Sequence, residues 1–204
     1  MGFVIKDLGL CDYEKTWHAM QDFTAQRDKQ TPDEIWLLEH PATFTLGRNG
    51  KPEHLLQQSE IPLIHIDRGG QITFHGVGQL VIYLLLDIKR LKLGVRALVT
   101  AMEAAIIALL KQYHITAQSN PKAPGVYVNG KKIAALGLRI KRGYSYHGLS
   151  LNIAMDLIPF SLINPCGYKN LEVTQCCDLG ISASYSEIKI NLLNQLLQRL
   201  EKKH

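Results

Sequence analysis

Between Val95 and Tyr113 the apolar residues Leu98, Met102, Ala105, Ile106, Leu109 and Leu110 recur at intervals of three and four. On a helix this spacing gathers them into one stripe, and such a stripe has to be covered by a second layer. The preceding segments supply that layer. Leu63–Ile66, Gln71–Phe74 and Gln79–Leu86 are rich in β-branched and aliphatic residues and are separated by glycines, the pattern of consecutive sheet strands with tight connections. A helix lying on a sheet is the expected packing.

The rest of the chain extends the same scheme. Asp12–Arg27 reads as a helix with an Asp start and Trp17, Met20 and Phe23 on one side, and Glu34–Leu38 reads as a buried strand with Thr43–Leu46 beside it. Val126–Val128 and Lys132–Ile140 flank Asn129-Gly130, which supplies the positive φ angles of a type I′ hairpin turn, so Lys132 opens the second strand. Tyr144–Ile153 is a further strand. Ser184–Lys202 is a closing helix with Ile188, Leu192, Leu196 and Leu200 on one stripe. No repeat, low-complexity tract or linker divides residues 1–204, and 46% hydrophobic with 20% charged residues suits one sizeable core. The expectation is a single α/β domain with a mixed sheet flanked by helices.

A net charge of +5 favours acidic partners. Lys89, Arg90, Lys92, Arg96, Lys131, Arg139, Lys141 and Arg142 are scattered, without the dense run or interleaved aromatics of a nucleic-acid module, so an acidic protein fits at least as well. The start MGFVIKDLGL lacks a secretory pattern, and the apolar runs Leu80–Leu86 and Ala104–Leu110 are too short to span a bilayer. A cytoplasmic protein without membrane contact is expected. Cys11, Cys166, Cys176 and Cys177 form no regular framework and no CxxC pair, which points to reduced thiols and no metal site.

Two segments suggest chemistry. Asp67–Gln79 carries Gly69, Gly70, Gly76 and Gly78 in a stretch otherwise suited to strands, where glycine serves either turn geometry or close approach of a ligand to the backbone. It contains no GxGxxG and no GK[ST], so a phosphate cradle is the weaker reading. Pro165-Cys166-Gly167-Tyr168 sets a cysteine in a turn, where its thiol can be accessible. A thiol with an ordinary pKa of about 8.5 gains from a neighbouring cation or base, and Lys132, His75 and His147 are the candidates. Taken singly, a buried structural cysteine, a solvated lysine and a hydrogen-bonded histidine are the commoner roles.

Read in order, EHPATFTLGR (39–48), RGGQITFHGVGQL (68–80), GVYVNGKKIAALGLRI (125–140), HGLSLNI (147–153) and NPCGY (164–168) resemble the lipoyl(octanoyl) transferase family over most of the chain. The resemblance implies a fold similar to the biotin and lipoate protein ligases. It also implies that a medium-chain acyl group passes from octanoyl-acyl carrier protein to a lysine of lipoyl domains, those of 2-oxoacid dehydrogenase complexes and the glycine cleavage H protein. Cys166 matches the acyl-accepting cysteine and Lys132 the lysine beside it. Lys131 is the adjacent alternative, and neighbouring strand residues face opposite ways, so both cannot serve one pocket. The acyl-binding positions match Arg68, Gly69, Gly70, Gln71, Ile72, Thr73, Phe74 and His75, then Ala135, Leu136 and Gly137, then Gly148, Leu149 and Ser150. Ser150 departs from the family's usual alanine.

No cofactor and no metal are expected, and a monomer is the preferred state. Thioester exchange onto Cys166 is nearly balanced in energy and transfer to an amine is downhill, the two-step pattern of covalent catalysis. Backbone N–H groups near Cys166-Gly167 and Ala135–Gly137 are candidate oxyanion donors. His75 is assigned to positioning and His147 to structural support. Two other readings stay open: an ATP-dependent lipoate or biotin ligase of the same fold, whose chemistry does not need Cys166, and a non-catalytic binder of acyl carrier protein.

Overall fold

The computed structural model describes residues 2–168 and 171–201. Its strands are β1 (Val4–Leu10), β2 (Glu34–Glu39), β3 (Thr43–Leu46), β4 (Leu63–His65), β5 (Ile72–His75), β6 (Gln79–Leu85), β7 (Gln118–Ser119), β8 (Gly125–Val128), β9 (Lys131–Lys141) and β10 (Tyr144–Asn152). Its helices are α1 (Tyr13–Gln26), α2 (Val95–Gln112) and α3 (Tyr185–Glu201), joined by short 3-10 turns that include Pro165–Gly167. The expected end of α3 at Lys202 lies outside the described residues.

Seven strands form one sheet in the order β1-β2-β6-β10-β9-β8-β7, and β4-β3-β5 form a second. The large sheet is mixed: β1 runs parallel to β2, while β2, β6, β10, β9, β8 and β7 pair antiparallel. Asn129 and Gly130 take φ of 49° and 81°, the two positive angles that the β8–β9 hairpin turn needs.

Helices α2 and α3 cover one face of the large sheet. Leu98, Met102, Ala105, Ile106 and Leu109 meet Ile188, Leu192 and Leu196 of α3 and the strand residues Ile35, Leu37, Leu80, Ile82 and Leu84. On the other face Met20 of α1 packs on Trp36, Leu38, Val81, Tyr83, Leu85 and Tyr146. The alternation of the two sets along β2 and β6 is what a sheet covered on both faces requires. Among the described residues no helix is long and apolar enough to cross a membrane.

Three expectations need correction. Thr43–Leu46 leaves the sheet of β2 and becomes the centre of the small one, parallel to β4 and antiparallel to β5. Leu63–Ile66, Gln71–Phe74 and Gln79–Leu86 are not neighbours in one sheet: the first two flank β3, and only the third enters the large sheet. The physical reason is a separate apolar cluster, Phe44, Leu46, Ile72 and Phe74 with Met155, Phe160 and Ile163, which the small sheet closes over. Strand β1 was not expected at all, because a mostly exposed edge strand carries no apolar alternation to betray it.

Candidate active site

Strand β10 lies at the middle of the large sheet, and the connection between β4 and β5 crosses over β9 beside it. Gly69 N–H donates to Leu138 O at 3.0 Å, which ties the crossing loop to the strand. Arg68, almost fully buried, donates to Thr45 O and Thr45 Oγ1 at 2.8 Å each and to Gly69 O at 2.9 Å. Gly148 is needed where β10 meets β6: a Cβ there would sit 2.1 Å from Ile82 O.

Between loop and sheet runs a half-open cavity. Its walls include Arg68, Gly70, Gln71, Ile72, Thr73 and His75 on one side, and Ala135, Leu136, Gly137, Gly148, Leu149 and Ser150 on the other. These are positions that the sequence motifs pick out for an acyl group. Two of the expected set are elsewhere. Phe74 turns to the opposite side of β5, against Phe44 and Phe160 with ring centroids 5.5 Å away in both cases, as strand alternation demands of a residue between Thr73 and His75. Gly69 lines an adjoining open groove with Val95, Val99, Leu138 and Tyr168.

Lys132 opens on a second, smaller cavity that shares Thr73, Ala135 and Ser150 with the first. Pro165 lines that same smaller cavity. The two lysines of the hairpin separate cleanly: Lys132 is 3% exposed, whereas Lys131 faces outward and pairs with Glu172 at 2.9 Å. The chain segment after Cys166 returns to brace Lys132 from its own backbone, since Lys132 N–H donates to Glu172 O at 2.8 Å and Thr174 N–H to Lys132 O at 2.9 Å. Its ammonium lies 5.5 Å from the centre of the Tyr127 ring. Gly125, on β8, makes room for the lysine: a Cβ there would meet Lys132 Cε at 2.4 Å.

Cys166 belongs to the Pro165–Gly167 turn, and its side chain lies outside the described residues. The turn is well anchored. Asn164 N–H donates to His54 O at 2.8 Å, Gly167 N–H to Asn164 O at 2.9 Å and Tyr168 N–H to Pro165 O at 3.1 Å. Gly167 N–H, a candidate oxyanion donor by sequence, is thus engaged within the turn.

Three buried histidines are biased towards the neutral form. His75 donates from Nδ1 to Gln79 Oε1 at 2.7 Å, because Gln79 Nε2 is turned to Asn152 Oδ1 and Phe74 O; Nε2 then accepts from Thr45 Oγ1 at 3.4 Å. Burial, helped by nearby His40, holds His75 well below the ordinary histidine range. Both ring nitrogens are taken, so His75 forms wall. His40, with Nδ1 on Cys11 O and Nε2 on Tyr83 Oη, is lowered by burial to about 4. His147 is likewise lowered by burial, against the pull of Asp67. For Asp67 burial pushes upward, yet hydrogen bonds from His147, Tyr146 and Trp17 together outweigh it and hold the carboxyl well below the usual range.

The model of the lipoyl protein ligase A/B catalytic domain matches residues 12–197. The chain belongs to the lipoyl protein ligase A/B family. Within that family it is 58% identical over 201 residues to an octanoyltransferase of Dechloromonas aromatica, with 98% of each chain covered. Solved structures agree on the fold. A bipartite lipoate protein ligase from Thermoplasma acidophilum superposes with a TM-score of 0.75 at 15% identity, over 98% of this chain and 84% of that one. A biotin protein ligase from Aquifex aeolicus gives a TM-score of 0.57 at 12% identity, over 98% and 69%.

Four residues line the main cavity of this lipoyl protein ligase A/B member without having been expected there: Tyr13, Val81, Tyr83 and His147. Tyr13 sits in the first turn of α1 and Val81 and Tyr83 on β6, in segments whose patterns read only as core. His147 carried a signal, its place in the HGLSLN motif, but was assigned to structural support.

Proposed function

We propose that octanoyl transfer by this chain runs through a thioester on Cys166, with Lys132 handling the proton in both half-reactions. The observation that carries the reading is that Lys132, a buried cation, opens on a cavity it shares with Pro165, the neighbour of Cys166. That cavity borders the larger slot, and Thr73, Ala135 and Ser150 line both. An ammonium beside Cys166 favours the thiolate over the thiol. The thiolate attacks the carbonyl of octanoyl-acyl carrier protein, the carrier thiolate leaves with a proton from the Lys132 ammonium, and the acyl group stays on Cys166 beside a now neutral Lys132. A lysine amine of a lipoyl domain then attacks, gives up a proton to Lys132, and displaces the Cys166 thiolate as the amide forms.

In this reading the main slot holds the acyl tail, and all 204 residues act as one cytoplasmic catalytic domain. The net charge of +5 speeds encounter with acidic carrier and lipoyl domains, those of 2-oxoacid dehydrogenase complexes and the glycine cleavage H protein. Intact-mass analysis after incubation with octanoyl-acyl carrier protein tests it. A hydroxylamine-labile octanoyl adduct is expected on the wild type, none on Cys166→Ser, and slow formation on Lys132→Ala. Transfer by Cys166→Ser that depends on ATP would instead make the chain a ligase, and binding of the carrier without any adduct would make it a non-catalytic binder.

A further inference from the structure

On β10, Leu149 and Leu151 point into the core under α2 and α3, so strand alternation turns Ser150 between them to the opposite face, that of the acyl slot. Its cross-strand partners, Ala135 on β9 and Val81 on β6, line the same slot. Ser150 is 5% exposed and lines both the slot and the Lys132 cavity. A buried hydroxyl elsewhere on this strand is spent on backbone: Ser145 Oγ donates to Leu84 O at 2.7 Å and accepts from Leu86 N–H at 3.2 Å. The Ser150 hydroxyl has no hydrogen-bond partner among the described residues, yet it is not one of the unpaired polar atoms sealed away from any opening. A hydroxyl left open to a cavity is a donor for whatever fills it.

Register brings this hydroxyl to the reacting end of Lys132. Gly125, Ala135 and Ser150 form one rung across β8, β9 and β10, with neighbours about 5 Å apart. The Lys132 side chain runs back along β9 to this rung, since a Cβ on Gly125 would lie 2.4 Å from Lys132 Cε and 3.1 Å from Nζ. The ammonium therefore ends at the Gly125 side, and Ser150 holds the other side. Between them is Ala135, whose small side chain lines both cavities. A carbonyl lying over Ala135 has the ammonium on one flank and the hydroxyl on the other.

The reaction calls for such a donor. Attack on a thioester moves the C=O π pair onto oxygen, and that charge must be met by hydrogen bonds. Most backbone donors marked out by sequence are spent. Gly167 N–H is engaged within its turn. Leu138 O accepts from Gly69 N–H on the side away from β10, so Ala135 and Gly137, in the opposite phase, direct their N–H groups into the β10 ladder. Of that stretch, Leu136 N–H alone is left. Gln79 and Asn152, on the wall of the Lys132 cavity, bond to each other and to Phe74 O and Thr174 O. Arg68 lines the larger slot and donates to Thr45 and Gly69.

Resting on the thioester reading above, we propose that the Ser150 hydroxyl donates a hydrogen bond to the acyl carbonyl oxygen and stabilises it as an oxyanion in both half-reactions. The hydroxyl keeps its proton throughout. The π pair moves onto the carbonyl oxygen on attack and returns when the carrier thiolate, or later the Cys166 thiolate, leaves. Ser150 is thereby a catalytic residue of this chain at a position where the family usually carries alanine, whose methyl has no proton to donate. It speeds a reaction that Cys166 and Lys132 carry without it.

The test removes the hydroxyl and follows both the rate and the carbonyl. Single-turnover acylation of Ser150→Ala by saturating octanoyl-acyl carrier protein is expected to slow by on the order of tenfold, with the half-saturating concentration unchanged, because the bond strengthens as charge develops on the oxygen. In the acyl-enzyme carrying an isotope-labelled carbonyl, infrared spectroscopy is expected to find the thioester band of Ser150→Ala at higher frequency than that of the wild type. A merely structural role does not move that band. Ser150→Thr and Ser150→Val share one shape and differ in the hydroxyl; Thr is expected to keep the wild-type band and Val to lose it, and this pair decides should Ser150→Ala fail to fold. Acylation of Ser150→Ala within about threefold of the wild-type rate overturns the proposal, and so do coincident carbonyl bands. Thr73 is the other hydroxyl residue lining both cavities, and a band that moves with Thr73→Val but not with Ser150→Ala also overturns it. Those outcomes leave octanoyl on Cys166 and sink this inference alone, whereas absence of any octanoyl adduct on Cys166 sinks the thioester reading beneath it as well.

Discussion

Replacing Gly125 with alanine tests whether the placement of Lys132 is what makes the reaction run. The added Cβ would lie 2.4 Å from Lys132 Cε, 3.1 Å from Lys132 Nζ and 2.8 Å from Ala134 O. Carbon atoms rest at about 3.5–4.0 Å, so the lysine side chain must retreat by about 1 Å or more. Ala134 O belongs to the β8–β9 ladder and gives far less easily, which leaves the lysine as the part that moves. Misplacing a reacting group by about 1 Å costs on the order of 10²-fold in rate. The backbone adds its own penalty, because Gly125 has φ of 150°, where a side chain is strained by about 1–3 kcal/mol. For a chain of this size that is a fall in Tm of roughly 5 °C. Single-turnover acylation by octanoyl-acyl carrier protein, followed by intact mass, gives the first number, and thermal unfolding gives the second. A folded Gly125→Ala protein acylated within about threefold of the wild-type rate would refute the argument, since it would show that Lys132 does its work from a displaced position or does none.

Lys131→Ala removes only an exposed partner of Glu172, so acylation should stay within about twofold and stability within about 0.5 kcal/mol, checked by the same two assays. Histidines buried neutral stabilise the fold above their ordinary pKa, and the unfolded chain binds more protons as pH drops below it; stability should therefore fall from pH 6.5 towards pH 4. His40 alone, lowered from 6.5 to about 4, accounts for about 3 kcal/mol of that loss, and denaturant unfolding that is flat across this window would contradict it. Asp12 caps α1 by accepting from Lys15 N at 2.9 Å, so Asp12→Ala should lower stability by about 1 kcal/mol, seen as a Tm drop of about 2–4 °C with acylation unaffected.

Much of the architecture was legible locally. The periodic stripes of α2 and α3, the Asp12 start of α1 and the Asn129-Gly130 turn all appear where spacing and turn chemistry put them. The motifs Arg68–His75, Ala135–Gly137 and Gly148–Ser150 converge on one cavity apart from Gly69 and Phe74. Sheet membership of β3, β4 and β5 was not legible, because a short apolar run states that a strand is buried and not which strand it pairs with. The choice between Lys131 and Lys132 needed one further fact, which of the two alternating faces of β9 looks inward.

Local spacing by itself determined the three helices and most of the strands in their order, since these depend on residues within a few positions of one another. Tertiary structure decided the rest: the small sheet's separate core, the burial of Lys132 under Gly125, and the turning of His147 against its strand's alternation. The last rests on Asp67, 80 residues away in the chain, and on Tyr83 and Tyr146. Burial and hydrogen-bond satisfaction are settled only when distant segments meet, and no pattern read along one strand contains that information.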